Sequence, residues 1–168
     1  MFGLKSTRPA LVQPPKEIRV HVRWLMRRDM PEVLAIEAEN IEFPWREEDF
    51  VHCLRQRNCV AMVAEWQERA VGFTVYELRK TQIELLNFAV DAELHRRNVG
   101  CQLLLELIGK LHPSRRSAIL ADVGERNLDA QLFFRAQGFR CEKIVRVPYG
   151  RWSNQDAYRF AYRVCAGK

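Results

Sequence analysis

The sequence predicts a single mixed α/β domain, and three observations carry that prediction. Read in order, the hydrophobic patterns along the chain give β-α-α-β-β-β-α-β-α-β-β, which is seven strands and four helices. Three of those strands follow one another through tight turns, which favours an antiparallel meander. The 168 residues are 48% hydrophobic and 29% charged, a composition that suits one globular domain with one core.

The N-terminal third of the chain begins without periodicity. Prolines interrupt residues 1–16, so we expect a mobile arm there and a single domain over residues 17–168. Apolar and polar residues then alternate over 18–24, which predicts a strand. Asp29 with Glu32 predicts a capping box at the start of the first helix. The helices expected in this half are Met30–Glu39 and Glu47 to about Arg57, and the meander strands are Cys59–Trp66, Ala70–Leu78 and Gln82–Val90.

The C-terminal half alternates between helical stripes and short apolar runs. Leucine and isoleucine recur at helical spacing after Gly100, and a second stripe ends at Gly138, the residue type favoured just past a helix C-terminus. The elements expected here are a helix over Gly100–Leu111, a strand over Ser117–Val123, a helix over Leu128–Ala136, and strands over Phe139–Val147 and Ala157–Val164.

Charge and cysteine content narrow the class of protein. A net charge of +6 fits an anionic partner, either a phosphorylated cofactor or nucleic acid. The five cysteines are scattered without a CxxC pair, which argues against a disulfide framework and a structural zinc site, so we expect them to pack in the reducing cytoplasm. No apolar run approaches the ~20 residues of a membrane span, and no cleaved secretory signal is expected.

The segment with the clearest chemistry lies between the third meander strand and the next helix. Three consecutive basic residues, His95, Arg96 and Arg97, precede Asn98 and Gly100, where the helix begins. Asn and Gly tolerate positive φ, so the loop can curl and aim its N–H groups inward. A helix N-terminus behind such a loop forms a seat for a phosphate or pyrophosphate.

At this point the sequence resembles the GNAT acetyltransferase superfamily, and within it the RimI-type protein N-terminal acetyltransferases. The family loop reads Arg/Gln-x-x-Gly-x-Gly/Ala, and residues 95–100 match it with His95 in the first position and Asn98 in place of the first glycine. The similarity covers roughly residues 18–164. Further matching segments are Ile36-Glu37, Phe43-Pro44-Trp45, Leu86–Val90, Gly100–Leu104 and Asn127 with Phe134 and Gly138-Phe139.

The resemblance implies a GNAT fold, a twisted, mostly antiparallel sheet splayed between its fourth and fifth strands, with acetyl-CoA in the opening. The backbone of the fourth strand would bind pantetheine, the loop would hold the pyrophosphate, and no metal is implied. The implied cofactor-binding residues are Phe88, Ala89, Val90, His95, Arg96, Arg97, Asn98, Val99, Gly100, Cys101, Asn127 and Phe134. Asn127 would contact the pantetheine arm, although it is equally explained as a helix N-cap.

Acetyl transfer to an amine needs a base for the ammonium proton and an acid for the leaving thiolate. By resemblance, Asp122 stands where RimI-type enzymes carry a glutamate base, and Phe134 stands where they carry a tyrosine acid. Glu84 is a second candidate base, acting through water, and Tyr149 is a candidate to supply a hydroxyl in the substrate region. The substrate side would comprise Phe43, Pro44, Trp45 and Tyr149, with the first three equally explained as core residues.

Four functions compete at this stage. The leading hypothesis is transfer of an acetyl group from acetyl-CoA to a primary amine, most simply a protein N-terminus. A small-molecule amine acetyltransferase is the second, and an acyl-CoA-binding module with weak catalysis, favoured by Phe134, is the third. Direct nucleic-acid binding ranks last, because the sequence has no zinc motif, ribonucleoprotein signature or basic helix.

Overall fold

The computed structural model describes residues 15–146 and 156–164. Tyr149 and most of the predicted N-terminal arm lie outside the described residues. The strands are β1 (His21–Trp24), β2 (Cys59–Trp66), β3 (Arg69–Leu78), β4 (Gln82–Val90), β5 (Ala118–Gly124), β6 (Arg140–Arg146) and β7 (Asp156–Arg163). The helices are α1 (Met30–Asn40), α2 (Glu47–Leu54), α3 (Val99–Ile108) and α4 (Leu128–Ala136).

The seven strands form one mixed sheet in the order β1-β2-β3-β4-β5-β7-β6. Strands β2, β3 and β4 form the expected antiparallel meander, and β4 and β5 are the one parallel pair among the described strands. The predicted fold class is confirmed: the described residues contain seven strands and four α-helices in the order that the hydrophobic patterns indicate.

The parallel pair opens partway along its length. The β4–β5 register runs from Gln82 opposite Ala118 to Leu85 opposite Ala121, and the pairing ends there. Beyond that point β4 remains bonded to β3, and β5 remains bonded to β7. Two strands that separate while each keeps one bonded neighbour leave a wedge between them, which is the splay that the family resemblance implies.

A bulge in β4 lies at the start of this wedge. Val75 of β3 faces Asn87, while the next residue, Tyr76, faces Leu85. Leu86 is therefore the extra residue on β4, and a bulge of this kind bends a strand and changes where its side chains point.

Helices cover both faces of the sheet. Helices α1 and α2 pack on one face through a cluster that includes Val33, Phe50 and Phe73. Helices α3 and α4 pack on the other face, where Leu104 and Phe134 belong to the buried cluster. None of the helices in the described part of the chain is long and apolar enough to cross a membrane.

The start of α1 differs from its prediction. Asp29 occupies the N-cap position but makes no capping hydrogen bond to α1, so the predicted capping box is wrong. Its carboxylate instead accepts from the Arg23 guanidinium at 2.7 and 2.9 Å and from the Met26 N–H at 2.7 Å. The Arg23 hydrogen bond holds the pKa of Asp29 below its usual value. Glu32 accepts from the Ala70 N–H at 2.6 Å, which ties α1 to β3.

The observed helix ends and cysteine pairing can also be compared with their predictions. Helices α2 and α3 end about three residues before the predicted positions, a normal scale of error for helix boundaries. Gly138 has a φ of +88°, as expected for the residue that ends α4. The structure pairs Cys53 with Cys59 at a Cα–Cα distance of 6.1 Å, whereas simple packing was expected for both.

Candidate active site

The loop after β4 has the curled backbone that its sequence predicts. Asn98, at the N-cap of α3, has φ 71° and ψ 9°, which confirms positive φ at this position. Arg96 also has a positive φ, of 59°, although nothing about an arginine signals that conformation. Left-handed residues in a short loop turn successive N–H groups toward one side, and the first turn of α3 adds N–H groups without intrahelical partners. The loop therefore has the geometry of an anion site.

The three basic side chains of the loop have different surroundings. His95 Nε2 donates to the Val90 carbonyl at 2.9 Å, which ties the loop to the end of β4. The Arg97 guanidinium donates to the carbonyl of Lys16 at 3.0 Å and lies over the Trp66 ring, 5.6 Å from its centroid. Arg96 is exposed to solvent. Of the three, Arg96 is the side chain best placed to meet a phosphate, and the other two brace the loop.

Residues 16–20 run beside this loop, a contact that the sequence analysis did not foresee. The Ile18 N–H donates to the Arg97 carbonyl at 3.1 Å. The Gln102 side chain accepts from the Val20 N–H at 3.1 Å and donates to the Ile18 carbonyl at 2.8 Å. These bonds hold residues 16–20 against the first turn of α3 and so stabilise the candidate anion site.

Aromatic side chains form the floor of the site on the α3 and α4 side. A side chain at Gly100 would place its Cβ 3.3 Å from the Phe133 ring and 3.6 Å from the Phe88 ring. Phe134 is 5% exposed and packs against Phe88, Phe133, Phe139 and Phe160. Phe134 is therefore a packing residue that offers no proton to a leaving group.

Two polar residues near this floor have structural roles. Asn127 Oδ1 accepts from the Ala130 N–H at 3.1 Å, which confirms the N-cap interpretation, while its contact with pantetheine stays a prediction. Burial raises the pKa of the Cys101 thiol, so this thiol stays protonated near neutral pH and does not supply a nucleophile.

Asp122 is the first residue of β5 beyond its pairing with β4, so it lies at the mouth of the wedge. Its two carboxylate oxygens accept from Nε and Nη2 of Arg159 at 2.7 and 2.6 Å. The two residues face each other across β5 and β7, and their hydrogen bond raises the pKa of Arg159. Both carboxylate oxygens of Asp122 are thus engaged by one arginine, which limits their availability to a substrate amine.

Glu84, the second candidate base, lies opposite Leu120, two residues before Asp122 on β5. The two carboxylates therefore share one face of the sheet, because side chains on a strand alternate between faces. Glu84 accepts from Gln82 Nε2 at 3.1 Å and from Arg79 Nη2 at 3.4 Å. Its contacts are longer than those of Asp122, which leaves Glu84 the freer of the two to bind a water molecule.

The loop between α1 and α2 forms the far wall of this face. Phe43 is 43% exposed, Pro44 is exposed, and the half-buried Trp45 ring packs edge-on against Phe50 at 5.1 Å. The Trp45 N–H donates to Oε1 of the fully buried Glu37 at 2.8 Å. Trp45 is thus partly a core residue, while Phe43 is open to a ligand. Sequence reasoning did not single out Glu37 as a site residue, and only its place in the matching segment marked it.

Comparison with known proteins agrees with this architecture. The model of the acetyltransferase (GNAT) family matches residues 20–139. The [ribosomal protein bS18]-alanine N-acetyltransferase of Salmonella typhimurium is 28% identical over 126 residues, 74% of this chain and 83% of the relative. The protein of the same name from Escherichia coli K12 is 26% identical over 121 residues, 72% and 80% of the two chains.

Solved structures share the fold at lower identity. The ribosomal-protein-S18-alanine N-acetyltransferase from Escherichia coli superimposes with a TM-score of 0.76 at 22% identity, over 89% of this chain and 97% of that one. Ard1 from Thermoplasma volcanium gives 0.78 at 20% identity, over 89% and 100%. Because the family model spans more than half of the sequence and the splayed sheet carries the expected anion loop, this chain belongs to the GNAT family of acetyltransferases.

Proposed function

We propose that this protein transfers the acetyl group of acetyl-CoA to the α-amine at the N-terminus of a protein or peptide. The observation that carries the proposal is the wedge beyond Leu85 and Ala121, which opens beside the curled loop of residues 95–98. The wedge offers strand backbone to an extended ligand, and the loop offers N–H groups to a pyrophosphate. The similarity to relatives named as alanine N-acetyltransferases supports a protein N-terminus as the acceptor.

The residues present fit the cosubstrate. In the wedge, the backbone of Phe88, Ala89 and Val90 would bind pantetheine, and residues 95–101 would hold the pyrophosphate, with Arg96 adding charge from the rim. Bound there, acetyl-CoA supplies a reactive thioester. What the protein adds is largely the positioning of an amine beside that thioester, which can itself account for a large part of the rate.

The proton path follows from the contacts of the two carboxylates. Glu84 would take the amine proton through a water molecule, whereas Asp122, held by Arg159, would shape the mouth of the wedge. A free α-amine has a pKa of about 7.7–8.0, against about 10.4 for lysine, so much less work remains for a base. We therefore expect α-amines to be preferred over lysine side chains.

The deciding experiment measures thiol release from acetyl-CoA with matched acceptors. One peptide begins with a free alanine, a second is the same peptide with an acetylated N-terminus and a free lysine, and a third acceptor is a polyamine. We expect turnover with the first peptide to exceed turnover with the second by about tenfold or more, given the difference in amine pKa.

Calorimetric titration with acetyl-CoA serves as the control for cosubstrate binding. Preference for the polyamine would favour a small-molecule acetyltransferase. Tight acetyl-CoA binding without turnover on any amine would favour the binding-module hypothesis. The packing role of Phe134, which offers no proton, is consistent with that hypothesis.

A further inference from the structure

We propose that Glu37 is a positioning residue that holds the acceptor loop, residues 42–45, at a fixed distance from the β4 bulge. The proposal rests on the proposed function, since it assigns the acceptor to that loop. Glu37 lies on α1 with 0% of its surface exposed. A carboxyl group is costly to bury and is retained in a core only where hydrogen bonds compensate it.

The carboxyl oxygen Oε1 of Glu37 joins two parts of the site. It accepts from the Trp45 N–H at 2.8 Å and from Nδ2 of Asn87 at 2.9 Å. Trp45 ends the acceptor loop, and Asn87 is the residue beside the bulge, itself only 9% exposed. One atom of α1 thus fixes the distance between the loop and the strand that would carry the thioester.

The pairing of β4 with β3 explains why loss of the Glu37 carboxyl group should weaken binding of the acceptor rather than binding of acetyl-CoA. Phe88, Ala89 and Val90 are held from the other side by β3, where they face Thr74, Phe73 and Gly72. That ladder persists whatever residue occupies position 37. The acceptor loop has no strand neighbour of this kind in the described structure, so it depends more on the bond to its Trp45 N–H.

The test compares Glu37→Ala with the conservative variant Glu37→Gln. Alanine removes both accepted bonds. Glutamine keeps a carbonyl oxygen that can accept from both the Trp45 N–H and Asn87 Nδ2, so it preserves the link while removing the charge. Glu39→Gln, on the exposed surface of the same helix, is the matched control for loss of a glutamate charge from α1.

We expect Glu37→Ala to raise the KM for the alanine peptide about tenfold or more, the effect of a buried donor left unsatisfied. Acetyl-CoA affinity should stay within about twofold of wild type. Glu37→Gln should show little of this loss, because it keeps the accepting oxygen, and Glu39→Gln should behave as wild type. Equal losses of peptide and acetyl-CoA binding in every position-37 variant would overturn the proposal, because they indicate general damage to the fold.

A second readout does not depend on catalysis. Hydrogen exchange at the Trp45 amide should speed up at least tenfold in Glu37→Ala and remain protected in Glu37→Gln. If wild-type protein acetylates no amine while this pattern holds, the proposed function fails and the positioning role of Glu37 stands. An unchanged Trp45 exchange rate in Glu37→Ala would instead overturn the role of Glu37, whatever the enzyme acetylates.

Discussion

The two halves of the candidate site differ in what they present to a ligand. In the cofactor half, residues 88–101, the expected contacts are mainly backbone N–H and C=O groups of a strand, a curled loop and a helix start. In the acceptor half, they are side chains, above all Glu84 and Asp122, each facing an arginine. Backbone contacts depend on chain geometry, whereas side-chain contacts depend on identity. The cofactor half should therefore tolerate many substitutions that keep its geometry, and the acceptor half should tolerate few.

The largest effect is expected where a new side chain would press against the aromatic floor of the site at the start of α3. Gly100→Leu places a Cβ 3.3 Å from the Phe133 ring and covers the first turn of α3. We expect acetyl-CoA affinity to fall about 100-fold or more, since the N–H groups of this turn become inaccessible. Gly109→Leu, at the other end of the same helix with ordinary 3.5 Å contacts, is the matched control. Calorimetry measures both, and equal affinities would show that α3 does not face the cosubstrate.

The next largest effect should distinguish the role of Glu84 from that of Asp122. Glu84→Gln should lower kcat about 10- to 100-fold, the range for loss of a general base, with acetyl-CoA affinity unchanged. Asp122→Asn should lower kcat less and destabilise the protein, because it leaves the Arg159 guanidinium without its carboxylate. Rate measurements from pH 6 to 9 together with thermal unfolding distinguish the two roles.

Glu142→Gln is the matched control for Asp122→Asn, since Glu142 forms a bidentate pair with Arg163 on the adjacent strands at the sheet edge. A full loss of kcat in Asp122→Asn, with Glu84→Gln near wild type, would make Asp122 the base.

A smaller effect should distinguish two adjacent arginines. Arg96→Ala should weaken acetyl-CoA binding about three- to tenfold at low salt and less at high salt, since exposed charges are screened. Arg97→Ala should lower thermal stability, because Arg97 packs over Trp66 and bonds to Lys16. Calorimetry at two salt concentrations and an unfolding scan test the pair. The reverse assignment of the two effects would contradict the bracing role of Arg97.

The smallest effect concerns backbone strain. Asn98→Gly introduces the residue typical of the family at a position with φ 71°. Glycine populates this region freely, so any loss of the asparagine side chain should be offset to within about 1 kcal/mol in unfolding free energy. Acetyl-CoA affinity should remain within about twofold. A clear drop in affinity would show that the Asn98 side chain itself touches the ligand.

Local sequence patterns predicted the helices and strands well, because each element depends on residues that are close together in the sequence. The strand segments between turns predicted β2 and β4, and the helical stripe predicted α3, at or near their observed bounds. The sequence around Asn98 predicted its left-handed backbone. These features depend on residues a few positions apart.

The features that escaped prediction join distant positions. The Asp122–Arg159 pair spans 37 residues and depends on the β5–β7 register, which no local pattern specifies. The contact of Arg97 with Lys16 spans 81 residues. Asp29 is a nearer case: Arg23, six residues earlier on β1, binds its carboxylate in place of the predicted capping box. A family resemblance transfers positions, but it does not say which partners the side chains at those positions have acquired.

The wedge between β4 and β5 also affects the stability of the folded protein in the absence of its cosubstrate. Among the described strands, none pairs with Phe88, Ala89 or Val90 on the side of the wedge, and such edges invite pairing with other chains. A ligand lying along the edge would cover it and favour the native state by mass action, by about 2.7 kcal/mol at a concentration 100 times its Kd. Depletion of acetyl-CoA would then lower not only the rate of acetylation but also the amount of folded enzyme.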